Sequence, residues 1–143
     1  MVAFHAGRIM LERINKLLDE SKTFALETTL STKSYVSFIR KAKDRGYEII
    51  LLFLRLDSQK LAIERVKTRV MEGGHNIPEN VIKRRYEKGL KNLFCRYMSI
   101  VDKWILVDNS EKIFNFIAEG AGNELLVKNQ KIWGELIKKY NGS

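Results

Sequence analysis

Residues 47–56 read Tyr-Glu-Ile-Ile-Leu-Leu-Phe-Leu-Arg-Leu, and no other stretch limits the fold as tightly. The apolar side chains from Ile49 to Leu54 are nearly unbroken, so both faces of an extended segment carry bulk. A strand with one wet face alternates; a continuous run suits a parallel strand covered on both sides. The run stops at Arg55, far short of the ~20 apolar residues that cross a bilayer. Gly46 precedes it, and the capping residues Asp57 and Ser58 follow it.

Helical patterns stand on either side. Phe4, Met10, Leu11, Ile14, Leu17 and Leu18 recur at helical spacing, so the chain opens in an amphipathic helix. Residues 24–30 predict a short buried strand. Ser31 or Thr32 then caps a second helix carrying Tyr35, Phe38, Ile39 and Ala42, which Gly46 ends. After the 47–56 strand, Asp57 or Ser58 caps a third helix with Leu61, Ile63, Val66 and Val70, up to Gly73-Gly74. Pro78 is tolerated in a first helical turn, because its missing N–H would be unpaired there anyway. That helix runs toward Tyr97, and 104–107 predicts a third strand leading to the polar turn Asp108-Asn109-Ser110. Helical stretches are expected near 112–118 and 125–140. The alternation argues for an α/β fold, a parallel sheet with flanking helices, in a single domain over 1–143. Residues 121–143 form a C-terminal helical extension on this reading, with Leu125, Leu126, Ile132, Trp133, Leu136, Ile137 and Tyr140 as its docked stripe.

A net charge of +9 fits nucleic acid, an anionic surface or a polyphosphate ligand without choosing among them. Basic residues are spread along the chain and no recognition motif accompanies them, so nucleic acid is disfavoured. Cys95 is the sole cysteine, which rules out an internal disulfide and fits a reducing compartment. His5, Arg8, Glu12 and Arg13 stand where a signal peptide would be apolar, so the expected location is cytoplasmic, with no membrane partner. His5 and His75 lie far apart without ligand-spaced neighbours, so no metal site is expected from the residues themselves. No serine sits in a G-x-S-x-G context.

Ligands of open α/β sheets sit at the C-terminal ends of parallel strands. Three places qualify. Glu27-Thr28-Thr29 ends the first predicted strand. Glu27 between apolar neighbours fits a functional role (substrate contact, proton acceptor or orienter of a metal-bound water) and a structural one (helix cap or ion pair) about equally. Asp57-Ser58 is explained by capping alone. Asp108-Asn109-Ser110 fits a nucleotide-base contact or an ordinary turn. Arg65 and Arg69 share one helix face. Across the glycine pair, Lys83, Arg84 and Arg85 cluster on the next helix. Guanidinium forks stay charged and bind oxygens bidentately, which suits neutralising a phosphoryl group in transfer.

Taken in order, Ala6-Gly7-Arg8-Ile9-Met10, Glu27-Thr28-Thr29-Leu30-Ser31, Ala42-Lys43-Asp44-Arg45-Gly46-Tyr47, Leu61-Ala62-Ile63-Glu64-Arg65-Val66, the 73–86 block, Leu90-Lys91-Asn92-Leu93 and Val107-Asp108-Asn109-Ser110 resemble one family. It is the zeta-toxin-like family of P-loop kinases, in particular its branch described as predicted ABC-type ATPases. The specific element is Gly73-Gly74-His75-Asn76 with Pro78, Arg84, Arg85 and Tyr86. The resemblance implies a P-loop NTPase-like core, ATP with Mg2+, and phosphoryl transfer to a hydroxyl, in the toxins that of a UDP-linked amino sugar. It places Glu27 and Thr29 at the acceptor. Arg65, with Arg84 or Arg85, falls at the transferred phosphate, and Asp108 and Asn109 fall near the base. His75 is a lesser candidate.

The chain departs from the family in one respect. None of its 143 residues forms G-x-x-x-x-G-K followed by Ser or Thr, the loop whose amides and lysine hold nucleotide phosphates. The resemblance also puts that loop's strand between the 24–30 and 47–56 strands. These residues are therefore expected to bind ATP weakly or not at all and to be inactive as a kinase by themselves. Their strand edges are expected to be left open to self-association or to an antitoxin, or else the 24–30 and 47–56 strands are expected to pair directly. A non-catalytic interaction module and a nucleic-acid-binding protein are the rival readings.

Overall fold

The computed structural model describes residues 2–140. Helix α1 (Val2–Asp19) comes first, with Ile14 and Leu18 buried as the spacing requires. The side chain of Phe4, counted in the same stripe, lies outside the described set. Helix α2 (Tyr35–Asp44) buries Ile39 and Ala42, and the chain leaves it through Gly46 in the left-handed region at φ +86°. Strand β1 (Ile50–Arg55) follows, then helix α3 (Gln59–Met71), whose cap Ser58 accepts the Leu61 amide at 3.1 Å. Helix α4 (Glu79–Asn92) starts directly after Pro78 and ends in a π turn (Leu93–Tyr97). Strands β2 (Lys103–Asp108), β3 (Asn115–Ala121) and β4 (Glu124–Val127) and helix α5 (Gln130–Tyr140) complete the order. No helix among the described residues is long and apolar enough to cross a membrane.

The α/β class holds, with a four-stranded sheet in the order β1-β2-β3-β4. Only β1 and β2 are parallel, in register from Ile50 opposite Lys103 to Arg55 opposite Asp108. The other two pairs are antiparallel. This corrects the helices expected near 112–118 and at the start of 125–140. Both are strands, joined by the tight turn at Gly122 and Asn123 that sets Ala121 opposite Glu124. Helix α5 is real and docks on the sheet: Trp133 stacks on Trp104, with centroids 5.6 Å apart and planes at 11°.

Two further expectations change. Residues 23–29 make no backbone-to-backbone hydrogen bond among the described residues, so the 24–30 segment is not a paired strand. A strand needs a ladder partner, and β1, which carries β2 on its other side, does not supply one here. An apolar cleft of about 210 Å³ separates the two, lined by Phe24, Leu26, Ile50 and Leu51 among others. Strand β1 is also covered on one face only. Leu51 and Phe53 turn to the core, while Ile50, Leu52 and Leu54 are 58%, 56% and 47% exposed.

The core lies on the other side of the sheet. Leu30, Ile39, Leu90, Leu93, Phe94, Tyr97, Trp104, Leu106, Ile117 and Leu136 pack there. Helices α3 and α4 form an antiparallel hairpin. Gly73 at φ +97° ends α3: its amide bonds the Val70 carbonyl, and the Gly74 amide bonds that of Arg69. That pair of bonds is a Schellman stop, which needs a left-handed residue at the first position. Conformational necessity, in addition to flexibility, explains the glycines.

Candidate functional site

Strands β1 and β2 end side by side on Arg55 and Asp108. Their side chains pair at 3.2 Å while only 12% and 11% exposed. Asp108 also accepts the amide and the hydroxyl of Ser110. The carboxylate is thereby committed to the turn it begins. Arg65 closes the turn from α3, with Nη2 donating to the Asn109 carbonyl at 2.9 Å and the Ser110 carbonyl at 3.2 Å. A guanidinium has five N–H donors. Those on Nη1 and Nε make no hydrogen bond among the described residues.

Helix α4 crosses above these strand ends. The Tyr86 hydroxyl donates to the Leu56 carbonyl at 2.7 Å, just past the end of β1, and burial pushes its phenol above the ordinary tyrosine range. Arg84 and Lys83 are exposed, Arg85 is half-buried, and none of the three makes an ion pair among the described residues. One turn further along lies Gly89, pressed against the Thr29 carbonyl so closely that a Cβ would stand 2.6 Å from it. Residues four apart share a helix face. Arg85 therefore lies on the flank of α4 that meets the 27–29 loop, and Arg84 lies off it.

Glu27, Thr28 and Thr29 are exposed. Thr29 and Ser31 hydroxyls pair at 2.9 Å, and Thr28 Oγ1 accepts the Leu30 amide at 3.2 Å. Leu30 is buried yet left-handed, at φ 56°, a conformation costing a non-glycine residue roughly 1–2 kcal/mol. The carbonyls on either side of that turn are held from α4 and its π turn. Asn92 Nδ2 donates to the Leu30 carbonyl at 2.7 Å, and the Tyr97 hydroxyl donates to that of Thr32 at 2.6 Å.

The fold thus brings Arg65 together with Asp108 and Asn109, and sets the Glu27–Thr29 loop beside the helix that carries Arg84 and Arg85. His75 is exposed in the link before α4. Sequence reasoning passed over Arg55, Gly89, Asn92 and Tyr97. A charged residue ending an apolar strand was a readable signal for Arg55, and a glycine inside a helical pattern was one for Gly89.

These residues supply no cradle for a nucleotide's triphosphate. Asp108 is bound to Arg55 and Ser110, the Asn109 carbonyl to Arg65, and no glycine-rich loop ending in lysine offers amides to phosphates. No cluster of three or more His, Cys, Asp or Glu occurs among the described residues.

A family profile described as Zeta toxin matches residues 2–119. An uncharacterized protein of Haemophilus influenzae is 31% identical over 81 residues, 57% of this chain and 58% of that protein. The chain therefore spans little more than half the length of the curated relative it matches. No solved structure matches.

Proposed function

This chain belongs to the zeta toxin family, and from that premise we propose that these residues form the acceptor-and-clamp half of a P-loop kinase-like phosphotransferase. Glu27 and Thr29 meet the acceptor hydroxyl, the carboxylate as its proton or hydrogen-bond acceptor. Arg85, with Arg84 beside it, and the unspent N–H groups of Arg65 face the phosphoryl group. Asp108 and Asn109 stand as the wall toward a base. ATP with Mg2+ would supply the phosphoryl group. These residues lack a cradle for it, so we assign them no turnover by themselves. The acceptor class is the hydroxyl of a UDP-linked amino sugar.

The observation that carries this reading is the double seating of α4. Tyr86 seats it on the end of β1, and Gly89 seats it on the Thr29 carbonyl, so the flank carrying Arg85 lies between strand ends and loop, with Arg84 exposed beside it. Phosphoryl transfer needs such positioning of charge more than any covalent help. The test is an amide NMR titration with UDP-N-acetylglucosamine. Shifts at 27–30 that Glu27→Gln weakens support the reading, and unmoved 27–30 amides refute it. Calorimetry with Mg-ATP should show no sub-millimolar binding; such binding would refute the division of labour.

An interaction module is a second reading, favoured by the open edge of β1 and its exposed Ile50, Leu52 and Leu54. Unpaired edges with apolar faces promote association. Self-association that Leu52→Lys abolishes would support it, and a concentration-independent monomer would not.

A further inference from the structure

The π turn at Leu93–Tyr97 has an identifiable use. Gly89, Asn92 and residue 96 would share a face of a regular α-helix at i, i+3 and i+7. The Met98 amide instead bonds back to Leu93, an i to i+5 bond that inserts one extra residue into the turn. Tyr97 thereby takes the angular place that residue 96 would have had. Three contacts then line up along one helix face: Gly89 on Thr29, Asn92 on Leu30 and Tyr97 on Thr32. All three act on backbone, and they bracket the left-handed Leu30. Asn92 is 7% exposed and Tyr97 fully buried, so both donor side chains lie within the core. Single π turns of this kind occur often at functional sites.

We propose that Asn92 and Tyr97 are positioning residues for the acceptor. Through the Leu30 and Thr32 carbonyls they hold the left-handed turn at Leu30, which follows the Glu27–Thr29 loop, and tie it to the helix carrying Arg84 and Arg85. The arrangement makes the spacing between acceptor loop and arginines a property of one rigid rod. It rests on reading Glu27 and Thr29 as acceptor contacts. Neither residue touches the acceptor itself.

The test uses the full chain with Tyr97→Phe and Asn92→Leu, and with Ile132→Val on α5 as a control of similar stability loss remote from the loop. Amide hydrogen exchange at 28–32 and the affinity for UDP-N-acetylglucosamine are measured together. The expected result is exchange about fivefold faster and binding about fivefold weaker in Tyr97→Phe, the worth of one net hydrogen bond. Asn92→Leu should do at least as much, and Ile132→Val should change neither. If Asn92→Leu fails to fold, Tyr97→Phe decides alone. Unchanged 28–32 exchange in Tyr97→Phe overturns the clamp. Equal weakening of binding by Ile132→Val reduces both residues to ordinary structural roles and overturns the proposal. A wild-type chain that takes no UDP-N-acetylglucosamine overturns the acceptor assignment. Exchange reads the clamp with no ligand present, so the two failures are told apart.

Discussion

Replacing Gly89 by alanine sets two opposed effects against each other in one helix. Alanine is favoured over glycine inside a helix by about 1 kcal/mol, and α4 is a helix at this point. The added Cβ would lie 2.6 Å from the Thr29 carbonyl oxygen. Carbon-to-oxygen contacts normally stay beyond about 3.3 Å, so roughly 0.7 Å must be found by moving backbone. The loop yields poorly, because the next carbonyl is held by Asn92 at 2.7 Å. Overpacking of this kind costs about 1–3 kcal/mol, and losing the Asn92 bond would leave buried groups unpaired for about 1–3 more. Net of the helical gain, Gly89→Ala should destabilise by roughly 1–5 kcal/mol. Gly134 in α5 provides the control, since a Cβ there meets nothing within 4 Å. Gly134→Ala should gain about 0.5–1 kcal/mol. At roughly 3–5 °C per kcal/mol for a chain of this size, calorimetry should show Gly89→Ala melting well below wild type and Gly134→Ala slightly above. Should Gly89→Ala melt with or above wild type, the close seating of α4 on the loop is wrong, and the geometry assigned to the acceptor side fails with it.

Other perturbations probe the rest of the molecule. Asp108→Ala leaves Arg55 buried without its partner and should cost about 3–5 kcal/mol in urea unfolding, with the Arg55→Met, Asp108→Leu double variant recovering much of it; a single-variant loss under about 1 kcal/mol would contradict the pair. The Ile49 amide bond at 2.7 Å, with Lys43 nearby, holds the Asp102 carboxyl below the usual carboxylate range. Its contribution is present above about pH 4, the unfolded value, and is lost as pH falls through the lower folded value. Asp102→Asn should therefore flatten part of the acid limb of stability against pH, and an unchanged limb would refute the assignment. The Tyr140 hydroxyl is buried without a partner, and burial raises its phenol. Tyr140→Phe should be neutral or stabilising at neutral pH and should lessen the loss of stability above about pH 10, as thermal melts across pH can check.

What the sequence made legible follows from where the physics is local. The β1 and β2 runs are apolar and end on chargeable residues, and Ser58 and Gly73 punctuate α3 through bonds to near neighbours. The β3–β4 hairpin is hidden from a periodicity argument because Ile113, Phe114, Ile117, Leu125 and Leu126 mimic helical spacing. The deciding signal was Gly122-Asn123, a two-residue turn of the kind that joins strands. Residues 24–30 have the composition of a buried strand, but pairing is a relation between segments and no single segment encodes it. Glu27 and the 108–110 turn stand out as candidates by their place after apolar runs, and Arg65 by the helix face it shares with Arg69. Asn92 and Tyr97 do not, because an extra residue in one turn leaves no mark on a periodic pattern.

That extra residue separates stability from purpose in the helix. Were the turn to close as ordinary α-helix with every residue kept, its backbone geometry would be better than the π turn allows. The continued helix would carry Tyr97 and everything beyond it through about a quarter turn, away from Thr32. A helix regularised in that way would gain ordinary backbone bonds and lose its grip on the loop. The irregular turn is a specification in its own right, kept by the chain against the local preference of its own backbone.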